Sequence, residues 1–151
     1  MKAFKLPAAV LFISCVFLIG YLIGKYQFNQ PSREIVIAYE DENNSDIKII
    51  KQTIKDTEKQ HVIDNFFMIW MQKKSLEDTE SVGEGKPDFY IMVNSPKQSV
   101  RLINAQIWFT EDGAIIGEEV GGSEKQLNYF SIPKENANYI KAHLNNKEKL
   151  R

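Results

Sequence analysis

One cysteine (Cys15) and two histidines (His61 and His143) are all the chain has of those residue types in 151 positions. A lone cysteine excludes an intrachain disulfide framework, a Cys-based structural zinc site and a CxxC redox pair. The chain also has no H-E-x-x-H and no G-x-S-x-G, so zinc-protease and serine-hydrolase chemistry have no motif to stand on. Gly83-x-Gly85 and Gly121-Gly122 each lead into a predicted strand, not a helix, so neither offers a helix N-terminus to a phosphate. Internal repeats and low-complexity tracts are missing too. The first 32 residues have no acid and only Lys2, Lys5 and Lys25 as bases. The rest of the chain therefore holds 16 of the 19 bases and all 20 acids, a net charge of −4. An acidic body is a poor match for nucleic acid, and no nucleic-acid partner is expected.

Charge is likewise absent from Leu6 to Gly24 (LPAAVLFISCVFLIGYLIG). As a helix, 19 residues cover roughly 28 Å, close to the ~30 Å hydrocarbon core of a bilayer. Pro7 falls in the first turn, where its missing N–H costs little. Lys2, Lys5 and the amino terminus precede the run and Lys25 follows it. The positive-inside bias thus predicts a cytoplasmic start and an extracytoplasmic remainder, with Tyr21 and Tyr26 at the far interface. Three processing fates are open. A cleaved secretory signal has an apolar core of about 7–15 residues followed by a small-x-small site; this run is longer and no such site follows. A lipoprotein would use Cys15, with Phe12-Ile13-Ser14-Cys15 as an imperfect lipobox, but Ile13 is bulky and the chain stays apolar through Gly24. The third fate, an uncleaved signal anchor with Cys15 as a small apolar residue inside the span, suits the run best. The predicted organisation is an anchor over 1–26 with the span at 6–24, a linker over 27–33 broken by Pro31, and an extracytoplasmic domain over 34–151.

In that domain Arg33–Glu40 (REIVIAYE) is a β-rich run and Asp41–Asn44 a polar turn. Asn44 or Ser45, with Asp46 in the first turn, predicts a capped helix to about Gln60 with Ile47, Ile50 and Ile54 as its apolar stripe. Val62–Met71 (VIDNFFMIWM) is expected to be a buried strand, although its periodicity also allows a helix. Lys73–Lys86 reads as a loop. Phe89–Val93 alternates as a strand, Asn94–Ser99 turns, and Val100–Thr110 returns with Arg101, Ile103, Ala105, Ile107 and Phe109 on one face. Glu111-Asp112-Gly113 is a hairpin turn. Ala114–Glu119 and Leu127–Ser131 are further strands, with Gly121-Gly122-Ser123 between them. A helix opening at Ser131–Pro133 carries the stripe Ala137, Ile140 and Leu144, and Asn145–Arg151 is a fraying polar tail. Neighbouring strands joined by tight turns predict an α+β fold: an antiparallel meander sheet with two helices packed on one face, preceded by a single N-terminal transmembrane helix.

Several of these features occur together: an acidic-capped, Ile-patterned helix, a Pro87-Asp88-Phe89 strand start, the Ile107-Trp108 pair, an Asp-Gly hairpin, and a Tyr129-bearing strand running into a helix that ends at Leu144. Over roughly residues 45–145 the chain resembles the YhfM-like domain of small cell-envelope lipoproteins of Gram-positive bacteria. The resemblance implies an extracytoplasmic, membrane-tethered domain and carries over no catalytic residue. The sequence departs from the pattern in its lipobox and in a longer Lys73–Gly85 loop.

Candidate chemistry is sparse. His61 lies near Asp64, and this pair is the basis for an alternative reading as a small envelope hydrolase. Asp41, Asn43 and Ser45 imitate the first ligands of a calcium loop, but Asp46 and Gln52 stand where glycine and glutamate belong, and a helix cap explains the same residues. Glu77-Asp78 and Glu118-Glu119 are adjacent acids; within a strand, neighbours point to opposite faces. No cofactor or metal is expected. Trp108, with Gln106 and Asn104, lies on the strand face opposite Ile107 and Phe109, where exposure would mark a partner surface. The leading expectation is a non-enzymatic envelope domain that binds or modulates another envelope protein, with a tethered solute or ion sensor as a further alternative.

Overall fold

The computed structural model describes residues 5–44, 46–77, 85–120 and 126–144. The chain forms two compact units, Met1–Gln30 and Pro31–Arg151. The first contains the helix α1 (Lys5–Asn29), which from Ala9 to Asn29 is long and apolar enough to cross a membrane. It runs through Gln27, Phe28 and Asn29, three residues that the sequence placed in the linker. It ends just before Pro31, which biases Gln30 away from helical backbone.

The second unit is α+β. Its strands are β1 (Glu34–Glu40), β2 (Lys48–Lys55), β3 (Lys74–Ser75), β4 (Phe89–Ser95), β5 (Val100–Phe109), β6 (Gly113–Glu119) and β7 (Leu127–Pro133); its helices are α2 (Asp56–Met71) and α3 (Lys134–Leu144). The sheet is open and antiparallel, in the order β2-β1-β4-β5-β6-β7-β3. Strands β4 to β7 form the expected meander. The β1–β2 hairpin adds to one side of it, and the two residues of β3 add to the other. One continuous core holds Ile35, Ile37, Phe89, Ile91 and Ile107 from the sheet, Ile63 and Phe66 from α2, and Ile140 and Leu144 from α3, so both helices pack on one face.

Two elements differ from the sequence expectation, and they have exchanged types. The Asn44–Gln60 helix is instead strand β2 over Lys48–Lys55, with only Asp56–Gln60 helical as the start of α2, and the Val62–Met71 strand is most of helix α2. In β2 the register slips between Ile37 and Ala38, where Gln52 faces Ile37 and Ile50 faces Ala38. Lys51 is left as the extra residue of a bulge. The bulge leaves Ile54 on the core face with Ile35 and Ile37 but sets Ile50 opposite Ala38 on the other face, so the 3-and-4 spacing of Ile47, Ile50 and Ile54 imitates a helix without marking a common face. Only Ile54 of the three is buried; Ile47 and Ile50 are 50% and 60% exposed. The expected helix cap is a hairpin loop, in which Asp41 Oδ1 accepts from Asn43 N at 2.7 Å and Asn44 Oδ1 accepts from Asp46 N at 3.0 Å; Ser45 is outside the described residues. In α2 the buried set is Val62, Ile63, Phe66, Ile69 and Trp70, which is one helical face, and the helix breaks from regular geometry at Lys59 (φ −139°, ψ 60°).

A second bulge lies between β4 and β5, where Arg101 faces Asn94 and Ile103 faces Val93. It turns Arg101 out to solvent, off the core face to which strict alternation assigned it. The remaining boundaries follow expectation closely, with β7 extended to Pro133. The Lys73–Lys86 loop includes β3, and its residues 78–84 are outside the described residues, as are Gly121-Gly122-Ser123 and the 145–151 tail.

The start of the domain is held by Asp56, whose carboxylate accepts from the backbone N–H groups of Ser32 (3.2 Å) and Arg33 (3.0 Å). The far side of the sheet depends on close backbone approach. A Cβ on Gly113 would stand 2.0 Å from the carbonyl oxygen of Ile132 on β7, whereas one on Gly117 would meet the side chain of Trp108 at 3.0 Å. Gly113→Ala is therefore expected to cost on the order of 3 kcal/mol, as β6 and β7 are forced apart, and Gly117→Ala roughly 1 kcal/mol, because the indole can shift. Thermal unfolding of the detergent-solubilised chain, followed by circular dichroism, checks this ranking.

Candidate functional site

Polar groups converge at the end of the sheet where β1 turns into β2. A groove of about 840 Å³ opens there between the hairpin, the Lys86–Asp88 segment and the end of α3. Ile37, Tyr39, Ile49 and Leu144 form its apolar wall; Glu40, Asp41, Glu42 and Asp88 with Lys51 and Lys86 form its charged rim. Asp88 is fixed as a strand cap: its N–H donates to Ile107 O at 2.8 Å, and its carboxylate accepts from Phe109 N at 2.8 Å. This is what the Pro87-Asp88-Phe89 start does physically.

Around the edge of β1, the Tyr90 hydroxyl donates to Glu40, whose other oxygen is 3.3 Å from Lys86 Nζ, and Lys48 Nζ lies 3.9 Å over the Tyr90 ring. The Tyr90 hydrogen bond, helped by Lys86, holds the Glu40 carboxyl below its usual range. Burial, followed by the neighbouring Glu40 carboxylate, pushes the Tyr90 hydroxyl well above the usual phenol range. Burial, and then the Asp88 carboxylate, raises Tyr39 as well. These are shifts from pairing and packing, and no nucleophile stands beside a base in this group.

The residues singled out from sequence are placed as follows. Trp108 is on the expected face but is only 9% exposed. It lies over Gly117, its ring centroid is 6.2 Å from that of Tyr129, and its Nε1 donates to Gly85 O at 3.3 Å. Gln106 and Asn104 share that face and are half-buried, with Asn104 donating to Glu119. The expected exposed tryptophan is thus a covered one, because Gly117, diagonal to it on β6 and opposite Gln106, leaves room for the indole to lie down.

His61 and Asp64 are both exposed on α2. The Asp64 carboxylate accepts from Gln60 Nε2 at 2.9 and 3.0 Å and pairs with Arg33 at 3.3 Å, so Arg33 and Gln60, not His61, orient it. His143 stacks on Tyr139 at 4.1 Å. Glu118 and Glu119 point to opposite faces, one to Lys73 and the other to Asn104. Among the described residues no cluster of three His, Cys, Asp or Glu could hold a metal. Cys15 is exposed on α1.

Sequence reasoning missed the rim of the sheet. Strand β2 is an outer strand, most of it is exposed, and it carries Lys48, Lys51 and Lys55 with no acid. The signal was present as KIIKQTIK but was read on a helix. No family model, curated protein or solved structure matches the chain.

The network at the edge gives a pH dependence. A carboxyl held below its ordinary pKa stabilises the fold above that ordinary value, and the contribution is lost as pH falls through the folded-state value. Tyr90→Phe is expected to lose roughly 1 kcal/mol at neutral pH. Its deficit relative to the parent should shrink as acid protonates Glu40, which urea unfolding repeated across the acidic range will measure.

Proposed function

We propose that the chain is a membrane-tethered, extracytoplasmic domain of the bacterial cell envelope that acts by binding another envelope component and carries out no catalysis. The supporting observation is a helix, α1, that is apolar on all sides and is followed after a few residues by a domain with its own core. Phe12, Phe17, Leu18 and Leu22 are each 60% exposed or more. Of the residues from Leu6 to Gly24, 11 are Leu, Ile, Val or Phe. At about 0.3–0.6 kcal/mol each, they favour insertion by roughly 3–7 kcal/mol, with no intramembrane charge to oppose it. Lys2 and Lys5 on the near side favour an N-terminus in the cytoplasm. The resemblance to the YhfM-like domain supports the same address. Confinement to the membrane plane raises the effective concentration of the domain for membrane-bound partners, an advantage for a binding role that uses weak contacts.

Protease added to intact cells is expected to digest the domain while leaving a cytosolic marker untouched. Protection until the cells are permeabilised reverses the orientation and overturns the reading. The intact mass of the purified protein is expected to equal that of the unprocessed chain. A mass lacking α1 makes the helix a cleaved signal, and an added diacylglycerol makes Cys15 a lipid anchor. Crosslinking in intact cells is expected to recover a discrete envelope protein, and recovery of none counts against the binding role.

A further inference from the structure

We propose that the outer edge of β2 takes up an extended acidic segment of another envelope protein as an additional strand of the sheet. The proposal rests on the reading of the chain as a tethered binding domain and names what that domain binds.

Among the described residues no strand covers β2 on its outer side, so alternate residues of this eight-residue strand present backbone donors and acceptors along one rim. The opposite rim differs, because Lys74 and Ser75 of β3 pair with Ser131 and Phe130 and so cap part of β7. Charge selects the occupant. Lys48, Lys51 and Lys55 run along β2 without an intervening acid, in a body whose net charge is −4. A second copy of this chain is a poor occupant. Two β2 strands in full antiparallel overlap would set Lys48 of each against Lys55 of the other, and like charges directly opposite are destabilising. An acidic strand turns each of those repulsions into an attraction.

Alternate side chains of an incoming strand fall on the two faces of the sheet. On the helix-covered side they meet the groove beside Tyr39 and Ile49; on the other they meet Ile50, which is 60% exposed. Main-chain pairing gives affinity and such flanking sites give selectivity. Asp41 and Glu42 occupy the hairpin tip, so the acidic side chains of the segment lie alongside Lys48–Lys55 and away from the tip.

The test uses the full chain in nanodiscs of uncharged phosphatidylcholine and two fluorescent octapeptides, one alternating glutamate with valine and the other lysine with valine. The glutamate peptide is expected to bind about tenfold more tightly than the lysine peptide and to slow hydrogen exchange across residues 48–55. The double variant Lys51→Glu/Lys55→Glu, checked for an unchanged near-UV spectrum, is expected to reverse that preference. Equal affinities, protection confined to another part of the domain, or β2-dependent dimers in sedimentation without peptide each overturn the proposal. If cellular crosslinks recover a partner on another surface while β2 stays unprotected, the edge site falls and the tethered binding domain stands. If the domain proves cytoplasmic, that wider reading falls whatever the peptides do.

Discussion

The fold depends on β1 being paired on both sides. Its register runs from Glu34 to Ala38 opposite Asn94 to Tyr90 on β4, and from Glu34 to Glu40 opposite Lys55 to Lys48 on β2. It is also covered on both faces, since Ile35, Ile37 and Ala38 are fully buried and Val36 nearly so. This is why the segment reads as a continuous apolar run, IVIA, with no alternation. Pairing β1 with β4 closes a contact across more than fifty residues, the kind of non-local closure that slows folding. It also joins the β1–β2 hairpin to the β4–β7 meander. Without it, β2 would have no sheet to border.

Holding β1 in place decides where the chain leaves the domain. Asp56, at the start of α2, accepts from the N–H groups of Ser32 and Arg33 just before β1 begins, and Asp56 N donates to Arg33 O at 3.1 Å. Arg33 then extends across α2, with its guanidinium 5.1 Å over the Phe67 ring and paired with Asp64. The carboxylate that sequence alone offered as a partner for His61 is thus used to fasten the first residues of the domain. An exposed pair of this kind adds little by itself. Together with two backbone bonds and a cation–π contact, it fixes the direction in which the chain approaches the sheet.

What could be read from the sequence followed how local each signal was. The apolar run of α1, the Asp-Gly hairpin, the alternation of Phe89, Ile91 and Val93, and the Ala137–Ile140–Leu144 stripe are each set within a few residues, and all appear in the structure. The segment from Ile47 to Met71 was misread because two periodicities were disguised. Ile47, Ile50 and Ile54 fall at helical spacing although Ile50 and Ile54 lie on opposite faces of β2, and the aromatic content of Phe66, Phe67 and Trp70 gave α2 the look of a strand, although Asp64 and Asn65 already marked its exposed side. The fate of Trp108 was beyond local reading, because it depends on Gly117 lying beside it across β5 and β6, and register between strands is a tertiary property. The same holds for the edge: that KIIKQTIK lies at a rim follows only once the strand order is known.

An exposed edge strand is a hazard as well as an opportunity, and lysines are the common defence against unwanted pairing. In the proposed edge pairing of β2 the two roles come from the same charges. Lysines that repel a second β2 attract a strand of opposite sign, so protection from self-association and selection of an acidic partner need no separate residues. The bulge contributes to both, since it takes Lys51 out of the ladder and breaks the flat repeat that indiscriminate pairing prefers. A short added strand has modest affinity in free solution, because its ordering entropy offsets much of the main-chain pairing. A domain anchored next to its partner does not need tight binding, because encounters within the membrane plane raise local concentration without any new contact. A guarded edge with weak, charge-selected pairing would therefore suit a tethered protein better than a freely diffusing one, and that would connect the features of β2 to the apolar helix that precedes the domain.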